Sequence, residues 1–147
     1  MAFRVYDIDK KKWLKENIYL SPNDELFLLK RGLFGTIKVP LDAERYVFHK
    51  DIYVYDKKNR LVYEGDYIKA IVGKVNENDE NSEDIIEIGL ICYAPKLSMY
   101  IMLCVNSDVW YSLGSNVSSV IEVIGNVFDG YKEEKKDGKP TLSKPKE

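Results

Sequence analysis

The chain has 147 residues, of which 45% are hydrophobic and 31% charged, and its 22 basic and 24 acidic side chains give a net charge of -2. This length suits one domain, and the composition excludes a disordered or fibrous protein. Residues 131–147 hold six Lys and four acids, a balance of +2, so the remainder carries -4. Because neutralising phosphates supplies most of the affinity of electrostatic nucleic-acid binders, this balance disfavours nucleic acid as a partner.

Apolar stretches such as Leu90–Ala94 are much shorter than the roughly 18 residues that a bilayer-crossing helix needs. The amino terminus reaches Asp7 without the apolar core of a secretion signal. We therefore expect no membrane association and a cytoplasmic location.

The first half of the chain begins with short predicted strands at Phe3–Asp7 and Ile18–Leu20. Ser21–Glu25 is ambiguous, because Ser before Pro followed by acids is also a helix-start signal. Only about six residues separate this segment from Gly32. We favour a hairpin turn and a strand over residues 21–31, with one helical turn as the alternative.

A β-hairpin is predicted around Asp56–Asn59, between the strands Asp51–Tyr55 and Leu61–Tyr63. Asp at the first position and Asn at the last are typical of a type I turn followed by a left-handed residue. Gly65 interrupts the next strand, where its lack of a side chain permits a positive φ.

The second half alternates apolar and polar residues over four further segments. They are Tyr67–Val75, Ile85–Tyr93, Met99–Val105 and Ser118–Phe128, with a short strand at Val109–Leu113. Gly125 lies inside the last of them and indicates a bulge or a close backbone approach. About ten short strands separated by turns predict one mainly β domain over residues 1–130, with a bent sheet or barrel, followed by a charged flexible tail at 131–147.

The two cysteines are predicted to lie on neighbouring strands but out of register. A turn at Ala94–Ser98 places Cys92 opposite about residue 101 and Cys104 opposite about residue 89. An offset of three residues separates their Cα atoms beyond the roughly 7 Å that a disulfide allows. We expect two free thiols.

Chemistry-bearing residues are sparse. His49 is the only histidine, and its flanks are typical of a strand edge rather than of a catalytic pair. Two Cys and one His at these spacings form no zinc motif. We expect no metal, no cofactor and no enzymatic activity, so the residues themselves leave the molecular function open.

The segment Asn76–Asp84 has no hydrophobic residue, which predicts a solvated loop. A more specific hypothesis is that its carboxylates imitate phosphates and occupy a host nucleic-acid-binding protein as a decoy. The acids are Glu77, Asp79, Glu80, Glu83 and Asp84.

Two basic clusters, Lys10–Trp13 and Lys57–Arg60, lie near aromatic residues such as Tyr53 and Tyr55. A barrel that binds single-stranded nucleic acid combines such residues. Both clusters are also predicted turns, where exposed Lys is common, so this function is the weaker hypothesis.

Three blocks of the sequence resemble the YopX family of small phage and prophage proteins. They are the opening Phe3–Trp13, the segment Tyr55–Ile68 with its "YEGD" and the segment Ser119–Asp129 with its "EVIGN". The second is similar to the family's "D-K-N-G-K-x-I-Y-E-G-D" hairpin, and the third to its closing "E-V-I-G-N" strand.

The resemblance implies a mostly β, barrel-containing fold, a phage or prophage origin and a tendency to self-associate, with no activity that carries over. Its motif residues are interpreted as structural: Tyr63, Glu64, Gly65, Asp66, Glu122, Gly125 and Asn126. We therefore expect a non-enzymatic, homo-oligomeric or protein-binding accessory module in the cytoplasm of a bacterial host, whose partner is a further copy, a phage protein or a host protein.

Overall fold

The computed structural model of the chain describes residues 2–15, 17–114, 117–134 and 140–143. The regular secondary structure of these residues is β-strand, and the mainly β fold with a bent sheet is confirmed. Within these ranges, no α-helix is long and apolar enough to span a bilayer.

Fourteen strands lie in the described residues: β1 (Phe3–Asp7), β2 (Lys12–Trp13), β3 (Ile18–Leu20), β4 (Leu26–Gly32), β5 (Gly35–Pro40), β6 (Tyr46–Tyr55), β7 (Leu61–Tyr63), β8 (Asp66–Lys74), β9 (Asp84–Ala94), β10 (Met99–Cys104), β11 (Trp110–Ser112), β12 (Ile121–Asn126), β13 (Gly130–Glu134) and β14 (Pro140–Ser143). The sequence predicts about ten. The additional strands are β2, β5, β13 and β14, each of six residues or fewer.

Two compact units divide the chain, one formed by Ala2–His49 and the other by the described residues from Lys50 onward. Strand β6 contributes its first four residues to one unit and the rest to the other. The single domain over residues 1–130 stays a prediction.

In the unit Ala2–His49, an antiparallel sheet has the order β3-β4-β5. The Ser21 hydroxyl accepts a hydrogen bond from the Glu25 amide at 3.0 Å, which closes the turn that leads into β4. The strand alternative for residues 21–31 is thus confirmed over the helical turn. A single helical turn fixes several residues for one hydrogen bond, whereas β4 pairs on both sides.

The same unit contains β1, which lies between β2 and β6 in its sheet. Its residues Val5, Tyr6 and Asp7 are buried. The Asp7 carboxylate accepts hydrogen bonds from Nε and Nη2 of Arg45, each at 3.0 Å. The Arg45 guanidinium lowers the pKa of Asp7 to about 2, against the opposing effect of burial.

In the second unit, a seven-stranded sheet has the order β11-β10-β9-β8-β12-β13-β14 and curls into a half-barrel. Its register shifts between Ile71 and Gly73 and between Val123 and Gly125. Such bulges bend a strand and increase its twist. The buried core comprises Ile52, Val62, Ile68, Ala70, Ile91, Met102, Cys104 and Ile121.

The β9–β10 register agrees with the sequence prediction. Cys92 pairs with Ile101, and Cys104 pairs with Gly89. The two cysteines are therefore three residues out of step, and both are free thiols. Burial raises the pKa of each thiol, which reduces the thiolate fraction available for nucleophilic chemistry.

Part of the segment 131–147 is described, and there β13 pairs with β14, from Tyr131 opposite Ser143 to Glu134 opposite Pro140. The remaining residues of the predicted tail lie outside the described ranges. The flexibility of this segment stays a prediction.

Candidate functional site

The Asp56 carboxylate organises the turn between β6 and β7. Its Oδ1 accepts hydrogen bonds from the amides of Lys58 and Arg60, at 3.0 and 2.8 Å. Its Oδ2 accepts one from Arg60 Nε and one from the Val123 amide, each at 3.0 Å. Burial opposes ionisation here, but these bonds and the Arg60 charge outweigh it and lower the pKa of Asp56.

The side chains of Asp56 and Arg60 bind the backbone of β12 where a neighbouring strand would otherwise pair. Arg60 Nη2 donates a hydrogen bond to the Val123 carbonyl at 2.7 Å, while Asp56 accepts one from the amide of the same residue. Both backbone groups of Val123 are therefore satisfied by side chains, next to Gly125 where the pairing of β12 with β13 begins. No sequence pattern predicted this role, although Asp56 lies inside the YopX-like block Tyr55–Ile68.

Glu122 joins the same cluster through its carboxylate. It lies 2.8 Å from Lys58 Nζ and 3.2 Å from Lys57 Nζ. The hydrogen bond from Lys58 is the main cause that lowers the pKa of Glu122. Two of the cations proposed to bind nucleic acid therefore already have an acidic partner.

The "YEGD" residues bind backbone groups. The Tyr63 amide donates to Asp66 Oδ2 at 2.8 Å, and the Lys50 amide donates to Glu64 Oε1 at 3.0 Å. Gly65 has a φ of 82°, as its predicted positive φ requires, and its amide donates to the Ile91 carbonyl at 2.8 Å. These contacts favour the interpretation of the block as structural.

The "EVIGN" residues end β12. A side chain at Gly125 would collide with the Gly130 carbonyl and lie 2.8 Å from the Cα atom of Tyr131. The predicted close approach and the predicted bulge both occur at Gly125. Asn126 Oδ1 accepts hydrogen bonds from the amides of Phe128 and Asp129, each at 3.0 Å. Asn126 thus forms the turn that leads into β13.

The acidic loop is held by its own polar groups. Ser82 Oγ accepts from the Asn76 amide at 3.2 Å and donates to the Asn76 carbonyl at 2.9 Å. Asp84 pairs with Lys74 Nζ at 2.9 Å, and Asp79 Oδ1 accepts a hydrogen bond from the Asn81 amide. All five predicted acids are exposed: Glu77, Asp79, Glu80, Glu83 and Asp84.

The aromatic residue of the first basic cluster is packed. The Arg4 guanidinium lies 4.5 Å from the centroid of the Trp13 ring, and the Tyr6 ring meets it edge-on at 5.0 Å. A ring that stacks nucleobases needs an open face. Near the second cluster, Tyr53 and Tyr55 are exposed.

His49 lies at the end of the unit Ala2–His49. Arg4 Nη2 is 3.4 Å from its Nδ1, and the Trp13 ring lies 6.1 Å away between centroids. Burial, with a contribution from the Arg4 charge, lowers the pKa of His49 to about 4. His49 is therefore neutral at pH 7. Across the described residues, no three His, Cys, Asp or Glu side chains are grouped as metal ligands.

The most exposed apolar side chains form the tip of the β4–β5 hairpin. Gly32 pairs with Gly35, which leaves Leu33 and Phe34 as a two-residue loop. These side chains are 90% and 99% exposed, and we call them the hairpin tip. In the sequence, Gly32 marked only the end of the ambiguous segment at residues 21–31. The overlooked signal is an apolar pair at a turn, where polar residues are usual.

A cavity of about 350 Å³ lies in the same unit, at the opposite end of this hairpin. Its walls are mainly apolar and aromatic, and we call it the hairpin cavity. It is lined by Asp24, Glu25, Leu26, Phe27, Pro40, Leu41, Ala43, Tyr46, Val47 and Phe48.

The close approach of Gly130 and Tyr131 to Gly125 predicts a large effect of one added methyl group. We expect Gly125→Ala to lower the free energy of unfolding by about 3 kcal/mol, because backbone atoms must move to admit the Cβ atom. Gly73→Ala is the matched control in the same sheet, since its Cβ atom would meet only Ile85, at 3.9 Å. Urea denaturation should show a change of less than about 1 kcal/mol for the control. Equal stability of the two variants would contradict the prediction.

The low pKa of His49 predicts a loss of stability in mild acid. In the unfolded chain His49 binds a proton below its ordinary pKa of 6.5, whereas in the folded chain it does so only below a pKa of about 4. The free energy of unfolding therefore falls as the pH decreases from 6.5 to 4. Asp7 acts lower, between its ordinary value of 3.8 and about 2, where the unfolded carboxylate is protonated first. Because His49 is the only histidine, His49→Gln should remove most of the loss between pH 6.5 and 5. It should keep the loss at lower pH, where Glu122, Asp56 and Asp7, whose pKa values are lowered in the folded chain, are protonated. Urea unfolding at pH 7, 5 and 3 measures both; an unchanged slope in His49→Gln would refute the assignment.

Comparison with known proteins supports the fold. No protein-family model matches the sequence, and no curated protein does so either. The crystal structure of the protein yopX from Bacillus subtilis superposes with a TM-score of 0.53 and 13% sequence identity, over 87% of this chain and 93% of that chain. Protein EF1440 from Enterococcus faecalis gives a TM-score of 0.45 and 18% identity, over 86% of this chain and 92% of that chain. The match with yopX confirms, at the level of the fold, the resemblance drawn from the three sequence blocks, and this chain shares that fold.

Proposed function

We propose that this protein is a phage- or prophage-encoded, non-enzymatic accessory module that acts in the bacterial cytoplasm by binding a protein, either a further copy of itself or a host or phage protein. The observation that carries this proposal is the hairpin tip, where Leu33 and Phe34 are 90% and 99% exposed. Removing one such side chain from water is worth roughly 1.5 to 3 kcal/mol. A partner that covers both gains a large fraction of a specific binding energy.

The chemistry of the charged residues supports a binding role over catalysis. Asp56 and Glu122 are engaged by backbone amides and cations. General acid-base catalysis works best with a group whose pKa lies near the working pH. Burial keeps the pKa of His49 well below 7. Binding through apolar contact needs no titrating group.

The hairpin tip predicts which substitution abolishes binding. In affinity capture with a tagged chain, we expect Leu33→Ser/Phe34→Ser to weaken recovery of an untagged copy or of a host or phage protein by at least about tenfold, since roughly 1.4 kcal/mol corresponds to a factor of ten. Neither side chain packs in the unit, so the fold should persist. The control is Leu97→Ser, which removes an apolar side chain, 46% exposed, from another turn and should bind normally. If Leu33→Ser/Phe34→Ser recovers the partner as well as the wild type does, or if Leu97→Ser weakens recovery as much as the tip variant does, the hairpin tip is not the binding surface.

A second candidate function is the acidic decoy, and one observation favours it. Hydrogen bonds of Asn76, Asp79 and Ser82 fix the loop, while Glu77, Glu80 and Glu83 stay exposed. Electrostatic complementarity guides association most effectively when charges are held in place.

The decoy hypothesis predicts that Glu77→Lys/Glu80→Lys/Glu83→Lys loses a basic nucleic-acid-binding partner in the same capture experiment, and that added salt weakens the wild-type complex. Asp84 is left unchanged because it pairs with Lys74. Recovery of the same partners by the charge-reversed chain would exclude a decoy. The tip variant should not affect this interaction.

A further inference from the structure

The β4–β5 hairpin carries an apolar protrusion at one end and borders an apolar cavity at the other. The hairpin tip follows the Gly32–Gly35 pair, whereas the cavity is lined by Phe27 and Pro40, which pair at the far end of the same ladder. Both features lie within the unit Ala2–His49.

The hairpin cavity suits side chains of the size and character of the tip. Its volume of about 350 Å³ is at the small end of the range of protein binding pockets. Aromatic walls come from Phe27, Tyr46 and Phe48. Aromatic rings favour edge-to-face contacts with a further aromatic side chain, such as that of Phe34.

The charged residues that line the cavity are acids, whereas those that precede the tip are cations. Asp24 and Glu25 line the cavity, and Asp42 and Glu44 flank the lining residue Ala43; all four acids are exposed. Residues 26–40 contain three cations and no acid, and one of the cations, Lys38, lies over the Phe27 ring of the cavity wall, 5.2 Å from its centroid. Two of these cations, Lys30 and Arg31, are exposed immediately before the tip.

A tip cannot reach the cavity of its own chain. Five residue steps separate the Phe27–Pro40 pair from the Gly32–Gly35 pair, which is about 17 Å of strand at roughly 3.4 Å per residue. The backbone hydrogen bonds between β4 and β5 keep the two ends apart. The complementary partner must therefore be a separate molecule.

We propose that the hairpin tip of one copy inserts into the hairpin cavity of a second copy, with Lys30 and Arg31 beside the acids of its mouth. This inference rests on the proposed function, and it specifies the partner as the same chain. The interface is head-to-tail, because the tip and the cavity are different surfaces. Each copy then keeps one unused tip or cavity, so association continues into a ring or an open filament.

Two substitutions separate the two halves of this interface. Leu33→Ser/Phe34→Ser removes the tip and leaves the cavity. Ala43→Arg should fill the cavity and place a cation at its acidic mouth. This substitution does not change the tip. All three positions are exposed, and circular dichroism of each variant verifies that the strands are retained.

Sedimentation velocity over a range of concentrations tests the proposal. The mean mass of the wild type should be larger than the chain mass of 17.0 kDa and should rise with protein concentration. Each variant alone should sediment as a single chain. An equimolar mixture of the two variants should form a complex of about twice the chain mass and nothing larger, since only one intact tip-cavity pair remains. Leu97→Ser should behave as the wild type.

Three results would overturn the proposal. If the tip variant associates as fully as the wild type, self-association uses another surface, and the proposed function stands. If both variants dissociate but their mixture does not form the complex, the tip binds somewhere other than the cavity. If the wild type remains a single chain at every concentration, the tip does not bind this chain; tip-dependent capture of a host or phage protein would then preserve the proposed function, and its absence would remove both.

Discussion

The buried carboxylate of Asp56 connects a local turn to a strand that is 67 residues away in sequence. It closes the β6–β7 turn through two amides and, together with Arg60, occupies the amide and the carbonyl of Val123. A slip of one residue in β12 would present the opposite face of the strand to the core. The Asp56–Arg60 pair therefore fixes the register of β12 and covers a stretch of its edge that would otherwise be open to further strands.

Local features of the sequence predicted a large part of this arrangement. Asn59 has a φ of 61°, as expected for the left-handed residue after a type I turn, and Gly65 has its positive φ. The turn at Ala94–Ser98 sets the register of β9 and β10, which is why the positions opposite Cys92 and Cys104 could be derived by counting. In each case the determining residues lie close together in sequence.

Strand β5 and the hairpin tip could not be predicted, because each depends on the pairing of β5 with β4. Strand β5 is bounded by Gly35 and Pro40, two residues that normally argue against a strand, and it exists because β4 offers a ladder. The hairpin tip was also not predicted from the sequence. Leu33 and Phe34 follow Lys30, Arg31 and Gly32, so the local pattern shows where β4 ends but not what comes next. The pairing of Gly32 with Gly35 places both side chains in the turn between β4 and β5.

Charge and apolar contact have separate roles in this molecule. Asp56 and Glu122 are bound internally by neighbouring cations, so they stabilise the strands that they join. Exposed charges lie in the acidic loop and in the cations that precede the hairpin tip. Exposed charge mainly affects the rate and orientation of an encounter, whereas buried apolar area supplies affinity. A two-residue tip on a paired hairpin is already ordered before it meets a partner, so binding loses little conformational entropy. A small apolar surface can then suffice, because little of its binding energy is spent on ordering the chain.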